Sequence, residues 1–311
     1  MANEQQIDTE IQFGLAMRRA DEVAEQAQAI ENLGYDYVTT GEHVFFHVPC
    51  SNAFISLAVA AGATTTLKLM STITLLPLYP AVLAAKQAAA LDVASGGRFH
   101  MGIGVGGELP REFEASGVPV SERGARTNEA LEIMKLLFSE DDVHFDGKFN
   151  QLSGVTLEPK PLQQPSPPIW ISGRKDAAWR RAARFGTGWL PYMYTPEMLV
   201  ESNQAIAKYR SDEGNDSPVD PGLFIFFCCH ALADLFLFSC NAKSPFSKKP
   251  RTNLNPVKCW KSHTSSCSPF LSSNLIGGGI MLPDIGSSAS SPNKCFPTPM
   301  EILSTCSLVF N

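Results

Sequence analysis

The 311-residue sequence lacks several features that would place it in a specialised class of protein. It contains no run of about 18 consecutive apolar residues, so we predict no transmembrane helix. Its net charge of −6 argues against a protein that coats nucleic acid, which would be basic. The polar N-terminus MANEQQIDTE lacks the charged-then-apolar order of a signal peptide, so we expect a cytoplasmic protein.

Several common catalytic and metal-binding motifs are also missing. Residues 1–222 contain no G-x-S-x-G elbow, H-E-x-x-H pair or P-loop. No two cysteines form a C-x-x-C pair, and His230 and His263 complete no usual zinc spacing with them. We therefore expect no metal site.

Cysteine is nearly absent from the first part of the chain and concentrated in the last. Seven of the eight cysteines follow residue 222, and only Cys50 precedes it. The same tail is rich in Ser and Pro and carries a net charge of +4, against −10 for residues 1–222. We predict a domain over residues 1–225 and a low-complexity tail over 226–311 that is disordered or aberrant. Our hypothesis is that a frameshift or intron read-through replaced the natural sequence there.

Alternating strand and helix patterns fill the first 225 residues. Apolar residues alternate at Ile11, Phe13 and Leu15, as in a strand, and over residues 21–33 they recur at helical spacing. Further strands are predicted, with helices among them, at 35–40, 67–76, 98–105, 168–172, 188–190 and 223–227. Segment 139–167 interrupts this pattern, and we interpret it as an inserted loop or hairpin.

This alternation predicts a barrel of parallel strands. A crossover helix returns the chain to the same end of the sheet, so neighbouring strands run parallel. Seven units in about 225 residues favour a (β/α)₈ TIM barrel over a doubly wound sheet. No eighth strand is identifiable, so we expect the barrel to be incomplete at its C-terminal end.

Candidate functional residues are sought at the carboxyl ends of the predicted strands, where barrel active sites lie. Strand two is followed by Glu42 and His43, a pair suited to acid, base or hydrogen-bond chemistry near neutral pH. The alternative is a histidine that is merely bonded within its loop. His47 is the weaker candidate.

Polar and glycine-rich segments end the next three strands. Thr72 and Thr74 share one face of strand three and either line a pocket or satisfy backbone groups. The run 102–107 matches G-x-G-x-x-G, but no helix follows it directly, so a Rossmann site is disfavoured. Ser172, Gly173 and Arg174 precede a predicted helix and form either a phosphate seat or an ordinary helix start.

Five segments in order resemble the bacterial-luciferase-like oxidoreductases, which use flavin or deazaflavin. The segments are Glu42-His43, LPLYPAVLAAKQAAALD, LDVASGGRFHMGIGVGGELPREFEASGVPVSERGARTNEALEIMKLLF, PKPLQQPSPPIWISG and AARFGTGWLP. The resemblance covers roughly residues 11–225 and does not extend into the tail. It implies a TIM barrel that binds coenzyme F-420 (a deazaflavin) or FMN at its mouth, a small-molecule substrate and a possible homodimer.

The resemblance also implies roles for individual residues. It gives His43 and Glu42, after strand two, and Glu108, just beyond strand four, as catalytic residues. It implies a non-proline cis peptide near Ile73–Thr74. The residues that it implies for cofactor binding are Thr72, Ile73, Thr74, Gly104, Val105, Gly106, Ser172, Gly173 and Arg174.

The function expected from these observations is hydride transfer between a bound deazaflavin or flavin and a small organic substrate. In the flavin branch of the family, the enzyme would be a monooxygenase. The alternative is a truncated, non-catalytic barrel that cannot hold a cofactor, because the family's last strands and loops are replaced by the tail.

Overall fold

A computed structural model describes residues 12–17, 19–215, 217–227 and 305–310. The described strands are β1 (Gln12–Ala16), β2 (Tyr37–Thr40), β3 (Lys68–Ser71), β4 (Thr74–Leu75), β5 (Phe99–Gly104), β6 (Val143–Asp146), β7 (Gln151–Val155), β8 (Ile169–Ser172), β9 (Gly188–Leu190), β10 (Asp220–Phe227) and β11 (Thr305–Phe310). The described helices are α1 (Val23–Asn32), α2 (Ala53–Ala63), α3 (Ala81–Ala94), α4 (Pro110–Ala115), α5 (Arg123–Ser139), α6 (Asp176–Phe185) and α7 (Pro196–Asp212).

Nine of these strands form one curled sheet. Its order is β3-β2-β1-β11-β10-β9-β8-β5-β4, and β3 also pairs with β5. The pairs β1–β2, β2–β3, β3–β5, β5–β8, β8–β9 and β9–β10 are all parallel. The predicted barrel of parallel strands is confirmed as an incomplete TIM barrel.

The eighth position of the sheet is held by a strand that the sequence pattern did not predict. β11 lies between β1 and β10 and pairs antiparallel with β1, with Gln12 opposite Phe310. A TIM barrel has a parallel strand at this position. The parallel repeat is therefore not completed within the described residues.

The sequence and structure differ in detail at two other places. The single strand predicted over 67–76 is divided into β3 and β4, with a cis peptide bond between Thr72 and Ile73. The resemblance implied this bond near Ile73–Thr74, so its position is corrected by one residue. The segment interpreted as an inserted loop or hairpin contains the antiparallel hairpin of β6 and β7.

The barrel core has two parts, one outside the sheet and one inside it. Outside, α3 packs between α2 and α5, and its fully buried Ala84, Ala85 and Ala88 allow close approach. Inside, Tyr37, Met70, Trp170 and Leu190 form a separate cluster, against which Ile73 packs. Large inward-facing side chains fill the barrel rather than leaving a pore, as is general for this fold.

The chain divides into two compact units, Met1–Ile225 with Cys306–Asn311, and Phe226–Thr305. Most of the second unit, like most of the predicted tail, lies outside the described residues. The division into a barrel domain over 1–225 and a tail over 226–311 therefore stays a prediction. Among the described helices, none combines the length and apolar character needed to cross a membrane.

Candidate active site

The candidate site lies at the mouth of the barrel, defined here as the loops that follow β2, β4, β5, β8 and β9. These loops follow the carboxyl ends of the parallel strands, so they meet at one end of the sheet. Together with the strand ends and the β3–β4 bulge, which holds Thr72 and Ile73, they carry every residue that the sequence analysis proposed for catalysis or cofactor binding.

His43 is held at the mouth by a carboxylate 69 residues away. Its Nδ1 lies 3.1 Å from both carboxylate oxygens of Glu112, whose side chain is only 1% exposed. Glu112 Oε1 also accepts hydrogen bonds from the backbone N–H groups of Val44, at 2.6 Å, and Phe45, at 3.1 Å. One buried carboxylate therefore fixes both the histidine ring and the loop that carries it.

Aromatic rings surround His43 on the same loop. The ring of Phe46 stacks on it with centroids 4.4 Å apart and an interplanar angle of 6°. The ring of His47, the weaker sequence candidate, packs against the same Phe46, with the two ring centroids 4.0 Å apart. Val44, Phe45, Phe46 and Val48 are all exposed, so the loop offers an apolar surface beside the histidine.

Glu42 lies elsewhere, although it precedes His43 in the sequence. Its buried carboxylate accepts hydrogen bonds from the backbone N–H groups of Leu75, at 2.8 Å, and Ala53, at 3.1 Å. The side chains of Asn52 and Tyr79 also donate to it, at 3.1 and 2.8 Å. Burial raises the pKa of Glu42, against the opposing effect of these donors. Glu42 thus joins β4 to the start of α2, and a catalytic role for it stays a prediction.

The bulge between β3 and β4 lies close to the backbone of the β2 loop and of β5. A Cβ atom at Gly41 would lie 2.9 Å from the Thr72 carbonyl oxygen. A Cβ atom at Gly104 would lie 1.6 Å from Ile73 Cδ1. The space beside Gly104 is therefore filled by the Ile73 side chain, and contact of this strand with a cofactor stays a prediction.

Val105 and Gly106 continue from β5 into the mouth. Gly106 has a φ of 59°, in the left-handed region that favours glycine. A Cβ atom there would lie 3.1 Å from both Leu75 and Phe113 side-chain atoms. Both the backbone conformation and the packing of this turn therefore call for glycine, whether or not a ligand approaches it.

Two buried hydroxyl groups near these strand ends have no hydrogen-bond partner within the described part of the chain. They belong to Thr39, near the end of β2, and Thr74, in β4, and both residues are fully buried. A buried hydroxyl without a partner is costly, so such a group commonly serves a ligand or an ordered water.

The loops after β5, β8 and β9 converge on Tyr192. Its hydroxyl donates to Glu108 Oε1 at 2.7 Å, and the Arg174 guanidinium lies over its ring, 4.5 Å from the centroid. Burial and the neighbouring Glu108 raise the pKa of Tyr192. The structure thus brings Glu108 and Arg174 together through a residue that the sequence analysis did not identify.

Ser172, Gly173 and Arg174 lead from β8 into α6. Gly173 has a φ of 139°, and a Cβ atom there would lie 2.6 Å from Ala178 Cβ, so α6 starts tightly against the strand. Its carbonyl oxygen accepts a 2.9 Å hydrogen bond from Trp189 Nε1. The N-cap residue Lys175 makes no side-chain capping bond, and Asp176 places a carboxylate in the first turn of the helix.

The most important residue missed by sequence reasoning is Glu112. Pro110 is a typical first residue of a helix, so the short helix α4 could have been predicted from it. Glu108 and Glu112 are four residues apart, and one contacts Tyr192 while the other contacts His43. No local pattern predicts the second contact, because it depends on the adjacency of the β2 and β5 loops.

Within the described residues, no group of three or more His, Cys, Asp or Glu could hold a metal ion.

Comparison with known proteins identifies the family. The family model described as luciferase-like monooxygenase matches residues 3–234. The chain belongs to this family. The flavin chemistry of the resemblance is represented among its relatives by an FMNH₂-dependent monooxygenase.

Two sequence relatives illustrate the range of the family. An uncharacterised protein of Mycobacterium tuberculosis is 33% identical over 187 residues, which are 60% of this chain and 64% of the relative. An FMNH₂-dependent dimethylsulfone monooxygenase of Pseudomonas putida is 34% identical over 164 residues, 51% of this chain and 45% of the relative. The matched part of the chain thus spans less than two thirds of these relatives.

Two solved structures share the fold. A monooxygenase from Streptomyces bottropensis, RslO1, has a TM-score of 0.58 and 29% identity, with 63% of this chain and 60% of that one covered. An F420-dependent secondary alcohol dehydrogenase has a TM-score of 0.62 and 24% identity, with 68% of each chain covered. The second likeness is evidence of a shared fold alone.

Proposed function

We propose that this chain is an oxidoreductase that binds a flavin or a deazaflavin at the barrel mouth and acts on a small organic substrate. Membership of the luciferase-like monooxygenase family supports this proposal. The observation that carries it is His43, held at the carboxyl end of β2 by the buried Glu112. Such an assembled mouth favours an enzyme over the truncated barrel considered as the alternative.

The residues at the mouth fit such a cofactor. The unpartnered hydroxyls of Thr39 and Thr74 can hydrogen-bond the polar edge of a ring system. The uncapped start of α6, with Gly173 and Arg174 before it, suits a phosphate because backbone N–H groups and a guanidinium both attract anions. We propose Ser172 as a further phosphate contact, and Thr72, Ile73 and the Gly104–Gly106 stretch as the wall of the ring site.

A bound flavin or deazaflavin supplies the hydride chemistry, and the protein supplies position and proton handling. His43 uses Nδ1 to bond Glu112, so its Nε2 is the nitrogen left to hold or move a proton. The exposed apolar residues Val44, Phe45 and Phe46 border this ring and exclude water from it when a substrate is bound. We propose Glu108 as a second proton-handling group that Tyr192 orients.

The experiment on cofactor binding includes both FMN and the deazaflavin. The relative named FMNH₂-dependent is 34% identical, whereas the F420-dependent structure at 24% identity supports only the fold. We expect the purified chain to retain one cofactor on gel filtration, visible by its absorbance. The reduced, bound cofactor should then be reoxidised by oxygen if it is FMN, and far more slowly if it is the deazaflavin.

His43→Ala tests the catalytic half of the proposal. We expect it to slow substrate-dependent oxidation or reduction of the bound cofactor by about 10²-fold, a typical contribution of a general acid or base. His47→Ala is the matched control, because His47 lies on the same loop but does not bond Glu112 in the described contacts. Equal rates for wild type and His43→Ala would remove His43 from the mechanism.

We further propose that the chain forms a homodimer through α2 and α3. Helix α2 (AFISLAVAAGA) has no charged residue, and a helix that is apolar all round is normally covered on every side. Its Ile55 and Val59 are 66% and 44% exposed, and Val82 and Leu83 of α3 are 38% and 49% exposed. Leu83→Glu should shift the light-scattering mass to that of a monomer. Val200→Glu, at an exposed apolar position of α7, should leave the mass unchanged, and a monomeric wild type would contradict the proposal.

A cytoplasmic location is also proposed.

A further inference from the structure

Several carboxylates bind loop backbone in this structure, and one of them, the buried Glu112, also binds a histidine. Glu31 accepts from the N–H groups of Thr65 and Thr66, and Glu129 accepts from those of Phe149 and Asn150. These two carboxylates only shape their loops in the contacts described. Glu112 shapes its loop in the same way but also meets the ring nitrogen of His43.

The bonds of Glu112 leave little choice in the direction of the His43 contact. Backbone N–H groups can only donate, so the Oε1 position, which Val44 and Phe45 both approach, must be an acceptor. Oε2 is the other half of the carboxylate and also lies 3.1 Å from His43 Nδ1. Because an ionised carboxylate has only acceptors, Nδ1 must carry the hydrogen in this contact.

We propose that Glu112 is a positioning residue that keeps the proton of the neutral His43 ring on Nδ1 and presents Nε2 to the mouth as an acceptor. This inference rests on the proposed function for its purpose, because a fixed acceptor is what a group that takes up a proton requires. Its geometry, however, can be tested without any cofactor. The stack of Phe46 on the ring fixes the plane, so Glu112 and Phe46 together fix orientation and tautomer.

Glu112→Gln separates the positioning role from loop stability. The amide oxygen must take the Oε1 position, where Val44 and Phe45 donate, so the NH₂ group must take the Oε2 position. That NH₂ group faces His43 Nδ1 as a donor and favours the neutral ring with its proton on Nε2, against the amide oxygen at the Oε1 position, which also lies 3.1 Å from Nδ1. The substitution thus keeps the shape and the backbone bonds of the loop but replaces one of the two acceptors that face Nδ1 with a donor, which should shift the tautomer population towards Nε2–H.

Nitrogen NMR of histidine-labelled, cofactor-free protein measures this directly. Long-range proton–nitrogen correlation identifies which ring nitrogen is protonated, and His43→Ala assigns the signals. We expect Nδ1–H in the wild type and a population shifted towards Nε2–H in Glu112→Gln, recorded in the pH range in which the ring is neutral. Glu129→Gln is the control, since it makes the same change in a carboxylate that binds only the β6–β7 loop, and should leave the His43 tautomer unchanged.

The outcomes are distinguishable from failure of the proposed function. Nε2–H in the wild-type protein, or a tautomer population that is the same in the wild type and in a folded Glu112→Gln protein, would overturn the positioning role. The wild-type result decides the matter even if the variant does not fold. If the tautomers are as expected, Glu112→Gln should reduce cofactor turnover by as much as His43→Ala, about 10²-fold, with cofactor affinity little changed. Unchanged turnover in both variants, with the expected tautomers, would contradict the proposed function and the purpose assigned to Glu112 but not its geometry.

Discussion

His43 and His100 both belong to the barrel, but its two ends place them in opposite surroundings. At the mouth, His43 is 23% exposed and bonds a carboxylate. Near the start of β5, His100 accepts a 3.3 Å hydrogen bond from Trp170 Nε1 and packs against the edge of the Tyr37 ring. Burial, together with the nearby charge of Lys68, lowers the pKa of His100 to about 3.

The difference shows that residue type alone does not mark a site. A histidine that accepts from a tryptophan among aromatic rings is held neutral and serves packing. A histidine whose one nitrogen faces a carboxylate keeps its other nitrogen for a ligand. The proposed site therefore lies at the carboxyl ends of the strands, as in other barrels of this kind, whereas His100 packs in the interior near their amino ends.

The largest stability effect is expected from Glu42, whose buried carboxylate joins β4 to the start of α2. Glu42→Ala leaves the buried N–H groups of Ala53 and Leu75 without an acceptor, so we expect a loss of about 3–5 kcal/mol in the free energy of unfolding. Urea denaturation measures it. Glu197→Ala, on the exposed surface of α7, is the control and should change stability by less than about 0.5 kcal/mol. Similar stabilities for the two variants would show that Glu42 does not stabilise this junction.

The next largest effect is the pH dependence that His100 gives to the free energy of unfolding. Its pKa is lower in the folded chain than the value of about 6.5 expected when unfolded, so the unfolded chain binds the proton first as pH falls. Its contribution to stability is therefore complete above pH of about 6.5 and is lost on acidification towards pH 3. Because each pKa unit corresponds to about 1.4 kcal/mol and His100 is partly accessible, we expect a loss of about 2–4 kcal/mol.

His100→Gln isolates this contribution from the other groups that titrate in acid. Glutamine can still accept from Trp170 Nε1 but does not titrate. We expect the wild type to lose more unfolding free energy than this variant between pH 7 and pH 4. Parallel pH profiles would place His100 in water-like surroundings and remove the contrast with His43.

Substitution of two glycines of β5, one in the interior and one near the mouth, tests how rigid the surroundings of each are. A Cβ atom at Gly102 would lie 2.0 Å from the Ser71 carbonyl oxygen, which is backbone and cannot move freely. At Gly104 the clash is with Ile73 Cδ1, the end of a flexible side chain. Thermal unfolding should show a cost of about 3 kcal/mol for Gly102→Ala and about 1 kcal/mol for Gly104→Ala. The reverse order would mean that the bulge is the more rigid element.

The smallest stability effect is expected from an unpartnered hydroxyl. Thr39→Val removes a buried group that bonds nothing in the described chain, so the cofactor-free protein should change by less than about 1 kcal/mol. Cofactor affinity should nevertheless fall, since the hydroxyl is proposed to bond the ring. A marked loss of stability without cofactor would mean that Thr39 serves the fold instead.

Much of the fold could be predicted because the barrel repeats a local pattern. Alternating apolar residues in β1, helical spacing in α1 and glycine stops such as Gly34, with a φ of 80°, are all short-range signals. The break of one strand at Thr72–Ile73 and the antiparallel pairing of β11 with β1 depend on neighbours distant in the chain. Local periodicity holds no information about such pairings.

The candidate site was predictable only in part, for the same reason. His43 was identified from its position after a strand, and the structure places it at the mouth with a buried partner. Its neighbour in sequence, Glu42, was predicted as a second catalytic residue, whereas the carboxylate that bonds His43 is that of Glu112. Adjacent residues after a strand point in different directions, so the carboxylate that meets His43 comes from the loop of another strand.

Titration of the folded chain with FMN and, separately, with the deazaflavin is the most direct test of a cofactor site at the mouth. Changes in cofactor fluorescence should show saturable binding of at least one of them at one site per chain. Thr39→Val and Arg174→Ala should both weaken this binding, while His100→Gln should not. Absence of binding by either cofactor to a chain whose circular dichroism shows it folded, or equal affinity in all three variants, would contradict a cofactor site at the mouth.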